Sequence, residues 1–340
     1  MEKDKEKFIS LKNPAFVFLA LAITVQIIFL GRKIYLYSQG HDFVPDLTNN
    51  NVNVMLTRPE NWHKITSGEL ELKSCDFDMI DGSTATIPIT AELARQFCDA
   101  GDDEIAGYID HNTTGTAYES LITGKKCGKK DCRKELIFVT EPSEEELQMA
   151  EKNGISLDVK PVAYDGFVFI TRKDNPVDSL TVEQVKGIYS GEITNWKEVG
   201  GKDSEIMAFQ REPNSGSQTA MEQLVMKDAQ LMDAPEYMYK DGMAELIEQV
   251  AAYNNEEGSI GYTFYYYINN LYLNDDIKVL KINGITPDNE NLLNGTYPFK
   301  SAYYAVMREG QNGLPKDIRD YLLSDNGQEL ISLAGYCPLR

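Results

Sequence analysis

The chain has 340 residues, more than a single hydrophobic core usually organises, so two folded lobes are expected behind any targeting segment. At 42% hydrophobic and 25% charged residues the composition is that of a globular protein, not a disordered one. Lys and Arg number 33 against 53 Asp and Glu, a formal charge of 33 − 53 = −20, which excludes the phosphate backbone of nucleic acid as a partner.

In chain order, the first feature is an uncharged, almost wholly apolar run from Asn13 to Gly31. It has the ~20-residue length that spans a bilayer. A cleaved signal peptide is the competing reading, but Arg32-Lys-Ile-Tyr-Leu-Tyr37 follows in place of a small-residue cleavage site or a lipidated Cys, which favours an uncleaved anchor. Lys3, Lys5, Lys7 and Lys12 precede the run and only Arg32 and Lys33 follow closely, so residues 1–12 are expected in the cytoplasm and the bulk of the chain outside, in a single-pass cell-membrane protein. Residues 32–70 read as a linker or stalk, with Trp62 and His63 given no function.

The five cysteines are Cys75, Cys98, Cys127, Cys132 and Cys337. Cys127-Gly-Lys-Lys-Asp-Cys132 is the best candidate for a disulfide, and the pairing of the others is open. With only three His in the chain, no zinc set or other metal centre is expected, and no cofactor motif is present.

Beyond Leu70, short apolar runs alternate with amphipathic stretches, the pattern of an α/β fold. Strands are expected at 76–81, Leu136–Val139, 159–163, 166–171, 206–209, 277–282 and 302–306. Helices are expected at 85–98, after an N-cap Ser143 with an acidic first turn, after Thr181 with capping-box spacing to Gln184, from Ser215 through Val225, and at 315–333.

Three places share a hydroxyl-rich, Gly-containing turn at an expected helix start: Gly82-Ser-Thr-Ala-Thr86, Thr113-Thr-Gly-Thr116 and Ser215-Gly-Ser217. Helix N-termini leave backbone N–H groups unpaired, Gly admits an anion to them and hydroxyls add donors. Ser and Thr are also the commonest caps, so each turn alone is weak. Arg211 changes the balance. It stands at the end of an expected strand, four residues before Ser215, where ligands of open α/β sheets bind, and its fork of donors suits a tetrahedral oxyanion. A chain of net charge −20 repels anions at long range, so such a site has to work through short-range donors. An enzyme reading would need a nucleophile and a base. His111 lies just before Thr113, yet no Gly-x-Ser-x-Gly elbow accompanies it, and no enzyme is expected.

Three segments carry a resemblance: Leu180-Thr-Val-Glu-Gln-Val-Lys-Gly-Ile-Tyr-Ser-Gly-Glu-Ile-Thr-Asn-Trp-Lys-Glu-Val-Gly-Gly201, Gln210-Arg-x-x-x-Ser-Gly-Ser-Gln218 and Gly258-Ser-Ile-Gly-Tyr262. Asp81-Gly-Ser-Thr-Ala85 and Gly335-Tyr-Cys-Pro-Leu339 support it. The chain resembles the phosphate-binding solute receptors of ABC phosphate importers, of the type II periplasmic-binding-protein fold, over roughly residues 77–339. The resemblance implies lobe I from 71–160 plus 263–340, lobe II from 161–262, and inorganic phosphate or a similar oxyanion held between them. It implies ligand contacts from Ser83, Thr84, Ala85, Thr86, Thr113, Thr114, Arg211, Ser215, Gly216 and Ser217, and an ABC permease as partner.

The family's Ser-Asp-Ala-Pro pattern is here Thr140-Glu-Pro-Ser143, so the acidic position falls either on Glu141 or, one place earlier, on Thr140. A carboxylate there accepts the proton of hydrogen phosphate and repels sulfate, which makes this position the one that sets selectivity. Tyr189, Trp196 and the run Tyr262–Ile268 read as packing. The rival function is an anchored receptor that senses an anion or docks a partner without feeding a transporter.

Overall fold

The computed structural model describes residues 61–65, 70–126, 133–240, 242–252 and 258–340, all within one compact unit that spans Asp46–Arg340. The expected transmembrane run 13–31, the tail 1–12, most of the linker and the Cys127–Cys132 pair lie outside the described residues. Among the described residues no helix is long and apolar enough to cross a membrane.

The described part of the linker is not free chain. Trp62 Nε1 donates to Glu92 Oε1 at 2.8 Å and the Ile65 N–H to Gln96 Oε1 at 2.8 Å, which pins residues 61–65 to the first helix. The residues expected as a strand at 76–81 instead form a 3-10 helix, Ser74–Met79, ahead of a short strand β1 (Ile80–Gly82). Asp76 causes the difference: its carboxylate accepts the Lys73 N–H at 2.7 Å and closes a local turn that competes with the sheet.

Helix α1 (Ile87–Phe97) carries Pro88 in its first turn, where the missing N–H costs nothing, and α2 (Asp102–Tyr108) follows. Helix α3 (Thr114–Thr123) is capped by Thr113, whose hydroxyl accepts the Thr116 N–H. The all-apolar β2 (Leu136–Val139) leads to α4 (Glu144–Lys152). There Ser143 caps the helix as expected and forms with Glu146 a full capping box, and the acidic first turn favours the positive end of the helix dipole.

Strand β3 (Leu157–Arg172) is one continuous element where two strands are expected from the sequence. It joins the lobes. Its first part pairs antiparallel with β11 (Lys300–Arg308), and from Phe167 onward it pairs with β8 (Ser259–Phe264) and β9 (Ile277–Val279). The ladder slips at Tyr303/Tyr304, opposite Pro161, which has no N–H to give. The change of partner falls at Gly166/Phe167, and residues 277–279 pair with β3 on the same stretch as β8.

The remaining elements belong largely to the second lobe: β4 (Ser179–Leu180), α5 (Val182–Ser190) with its Thr181–Gln184 capping box, β5 (Met207–Ala208), β6 (Gln210–Arg211), α6 (Gly216–Ala220), β7 (Tyr239–Lys240), α7 (Met243–Ala251) and β10 (Lys281–Ile282). Helix α6 continues without a break into a π-helical turn, Met221–Met226. Helices α8 (Asn289–Leu293), α9 (Leu314–Leu323) and α10 (Asp325–Leu333) complete the chain, the last two replacing a single expected helix because Ser324 ends one and caps the other. The large sheet runs β1-β2-β11-β3-β8-β5, parallel at β1/β2 and β5/β8 and antiparallel between.

Phe167, Phe169, Tyr189, Tyr262 and Phe264 stack edge to face and fill the core of the second lobe. Trp196, with its indole N–H on the Gly258 carbonyl at 2.9 Å, and Tyr189 are buried and pack the core, as does most of the aromatic run from Tyr262. In the first lobe the fully buried Lys134 ammonium binds Asp110 at 3.1 Å and the carbonyls of Asp78 and Ile80, which satisfies a charge that burial would otherwise penalise heavily. Cys75, Cys98 and Cys337 are free thiols.

At the lobe junction Asp165 is buried, and its Oδ1 accepts the N–H groups of Gly166 (2.7 Å) and Tyr266 (3.0 Å). Burial outweighs those bonds and pushes its carboxyl up to about 7. The folded chain therefore keeps a proton that the unfolded chain releases near its ordinary value, and this group's contribution to stability is lost as pH rises through about 7. Asp165→Asn keeps the acceptor and removes the titration. In urea titrations it is expected to be more stable than the wild type at and above neutrality, by on the order of 1–3 kcal/mol, with the gap narrowing as the pH falls and closing only below about pH 4.

Candidate functional site

The polar residues that the sequence singled out stand just after β1 and β2, at the starts of α3 and α6, and on β6. Asp81, the middle residue of β1, is buried, and its carboxylate accepts the Gly82 N–H (2.7 Å), the Asn112 N–H (2.9 Å) and the Asn112 side-chain amide (2.8 Å). Those bonds tie the loop before α3 to the end of β1 and set the N-terminus of α3 beside Thr140, which follows β2.

On the opposite lobe Arg211 is held by several bonds. Its backbone N–H donates to the Tyr262 hydroxyl at 2.9 Å, and the same hydroxyl donates to Gln218. The guanidinium Nε donates to the Lys240 carbonyl at 2.9 Å and Nη1 to Ser217 Oγ at 3.3 Å. Arg211 and Ser217 are buried, so the guanidinium is fixed against the first turn of α6, which Ser215 caps by accepting the Gln218 N–H. Tyr262, Gln218 and Lys240 were not legible as partners of Arg211, since nothing in local spacing joins them.

The two lobes meet at Gly216. A Cβ placed there would lie 2.5 Å from Thr140 Oγ1 and 2.9 Å from Thr114 Oγ1, so only glycine lets the start of α6 seat this closely on the first lobe. Flanking bonds also cross between lobes: Asn214 Nδ2 to Glu145 Oε2 at 2.6 Å, and Gln223 Nε2 to the Pro142 carbonyl at 3.0 Å. The N-terminus of α3 and the N-terminus of α6 thus face one junction, with Arg211 behind it. Dipoles, free N–H groups, hydroxyls and a guanidinium together make a short-range electropositive spot in an acidic protein.

The predicted residues do not all reach that junction. Thr114, Arg211, Gly216 and Ser217 do, and Ser215 and Thr113 serve as caps, Thr113 with an exposed side chain. In the turn after β1, the Thr86 hydroxyl is spent on the carbonyls of Phe138 (2.7 Å) and Ser83 (2.8 Å), and the Ala85 carbonyl accepts from Tyr336. Ser83 and Ala85 are buried and Thr84 partly so, on the same edge of the sheet as Thr140.

The two candidates for the acidic position, Thr140 and Glu141, both line a cavity of about 220 Å³ with Tyr164, Thr219, Gln223 and Lys300, and Glu141 is exposed. Thr140 is the one that approaches Gly216. It is 4% exposed, and its Oγ1 is buried with no hydrogen-bond partner.

His111 is buried, with Nδ1 at 3.0 Å from the Ser83 carbonyl and Nε2 at 2.9 Å from Thr90 Oγ1. A carbonyl only accepts, so Nδ1 carries the proton and Nε2 accepts from Thr90. Burial lowers its pKa and keeps the ring neutral, and both nitrogens are committed, so His111 is a structural tie and not a base for Thr113. Among the described residues no group of three or more potential metal ligands exists.

A family model described as a PBP superfamily domain matches residues 80–326. The chain belongs to this superfamily. Curated relatives within it include the phosphate-binding protein PstS of Bacillus subtilis, 26% identical over 76% of this chain and 80% of the relative. The phosphate-binding protein PstS of Staphylococcus saprophyticus is 28% identical over 77% of this chain and 78% of the relative. Among solved structures, a Clostridium perfringens protein assigned as a phosphate ABC transporter substrate-binding protein, crystallised with bound phosphate, superimposes with a TM-score of 0.60 at 28% identity, covering 77% of this chain and 98% of that one. A phosphate transport receptor of Vibrio cholerae, TM-score 0.55 and 22% identical over 76% of this chain and 98% of that one, shares the fold. The two-lobed mixed α/β architecture of this PBP-superfamily chain is therefore that of its relatives.

Gly216→Ala tests the junction itself. Alanine suits a first helical turn, so the fold and its melting temperature are expected to hold, while the added methyl meets Thr140 and Thr114 and keeps the lobes apart. Calorimetric titration with phosphate is expected to show at least ~10-fold weaker binding, equivalent to about 1.4 kcal/mol.

Proposed function

We propose that the chain is a membrane-anchored, extracytoplasmic receptor that closes its two lobes on inorganic phosphate and presents it to an ABC permease, with the apolar run 13–31 as its anchor in the cell membrane. The observation that carries this reading is the meeting of two helix N-termini over a buried Arg211 at Gly216, where the oxyanion donors of both lobes converge. The names of the relatives and the phosphate in the Clostridium perfringens structure support the choice of anion.

In this reading Arg211 and Ser217 grip the anion from the second lobe together with the N–H groups behind Ser215 and Gly216. Thr114 and Thr140 close on it from the first lobe, and the turns at Ser83–Thr86 and Thr113 frame it. Binding and closure are one event, because neither lobe alone presents the full donor set. The inter-lobe bonds of Asn214 and Gln223 then add to the closed state without touching the ligand.

Arg211→Ala is expected to lower phosphate affinity by about 1.5–3 kcal/mol, on the order of 10- to 100-fold, in calorimetric titration. Arg211→Lys, which keeps the charge but not the planar fork, should fall between. Unchanged affinity in Arg211→Ala would remove the site.

A further inference from the structure

Glu146 caps α4 with only half of its carboxyl. The residue is 3% exposed, and its Oε2 accepts the Ser143 N–H at 2.8 Å as a capping box requires, but Oε1 is buried with no hydrogen-bond partner. That oxygen is turned toward the first turn of α3. A Cβ built on Gly115 would lie 3.9 Å from Glu146 Oε1 and 3.6 Å from the Asn214 carbonyl oxygen of the second lobe. Glu146 thus stands behind the same helix start that brings Thr114 to the junction, at the point where the second lobe arrives with a carbonyl.

The surroundings of this carboxyl disfavour a charge on it. Glu145 faces it from its own helix with a second carboxyl, and Tyr118 faces it from α3 with a phenol on which Glu141, in the loop after β2, also acts. Among the described residues no Lys, Arg or His is paired with it. Burial pushes the carboxyl up to about 7, against the pull of its two bonds with Ser143. Closing the lobes adds two further negative features, the Asn214 carbonyl and the anion itself, which competes with Glu146 for the positive end of α3. Each favours the neutral carboxyl over the ionised one.

We infer that lobe closure on the anion is proton-coupled at Glu146: its carboxyl takes up a proton as Asn214 and the anion arrive, so phosphate is held more tightly as the medium becomes more acidic. This rests on the anion-receptor reading above and adds a regulating residue to that same site. Glu146 is a positioning residue that acts through the first turn of α3 without touching the ligand. The closed, occupied state binds the proton more tightly than the open one. Affinity therefore rises as pH falls through the interval between the two titration midpoints and levels off below it.

Phosphate titrates in the same range, so the wild type is read against Glu146→Gln, which keeps an acceptor for the Ser143 N–H and removes the titration. In calorimetric titration of the full chain with inorganic phosphate, the two proteins are expected to bind alike at about pH 5.5. At about pH 8.5 Glu146→Gln should bind about tenfold more tightly, the ratio set by a one-unit difference in midpoint between open and occupied states. Between those values, titrations in buffers of different ionisation enthalpy should count more protons taken up per anion by the wild type than by the variant. A third reading uses the wild type alone and does not depend on how the variant folds. With glutamate labelled at the carboxyl carbon, the NMR titration midpoint of the glutamate that titrates near neutrality should move up when phosphate saturates the site.

An affinity ratio that does not change with pH, equal proton counts in the two proteins, or a midpoint that phosphate does not move would overturn the inference while leaving the receptor reading intact. No binding of phosphate by the wild type at either pH would sink both readings together.

Discussion

The close seating of the start of α6 on Thr114 and Thr140 is the contact on which the rest of the structure depends. It requires a residue without a side chain at position 216, an uninterrupted cap at Ser215 and a first lobe whose two hydroxyls are already in place. The remainder of the molecule serves that meeting. The long β3 carries the chain from one lobe to the other, and Asp165 braces the crossing by holding Gly166 and Tyr266. Asp81 places the α3 N-terminus by gripping Asn112, and the Tyr262–Gln218 pair fixes the backbone of Arg211 on the other side.

Electrostatically the arrangement resolves the conflict set by a net charge of −20. Long-range attraction is absent, so an anion site has to act at contact distance, and its parts are those that salt and distance weaken least: N–H groups at helix ends, hydroxyls and a buried guanidinium. Of the acidic residues near the junction, Asp81 is consumed in loop anchoring and Glu145 in a bond to Asn214, while Glu146 holds the Ser143 N–H through one oxygen and keeps the other buried without a partner, and Glu141 lines the cavity that Thr140 also lines.

Local signals were the legible ones. The caps at Thr113, Ser143, Thr181 and Ser215 were readable because each involves residues only three apart, and the apolar β2 stood out by composition. The continuity of β3 was not, because Pro161 and the polar Tyr164-Asp165 interrupt its pattern just where the strand changes lobes. The start of β1 was obscured by the Asp76 turn, and the break between α9 and α10 by a Ser that caps as readily as it continues. Within the site, Arg211 and the glycine turns were apparent from motif. The cavity that Thr140 and Glu141 share with Thr219 and Gln223 was not, because residues nearly eighty positions apart meet there and no local spacing joins them.

The central claim is that one tetrahedral anion sits between the N-termini of α3 and α6 against Arg211. A crystal of the chain grown with arsenate, a phosphate analogue visible by its anomalous scattering, tests that location directly. The account predicts a single strong peak in contact with the Arg211 guanidinium, the Gly216 and Ser217 N–H groups and the Thr140 hydroxyl. An anomalous peak elsewhere, with that junction empty and the lobes closed, would contradict it.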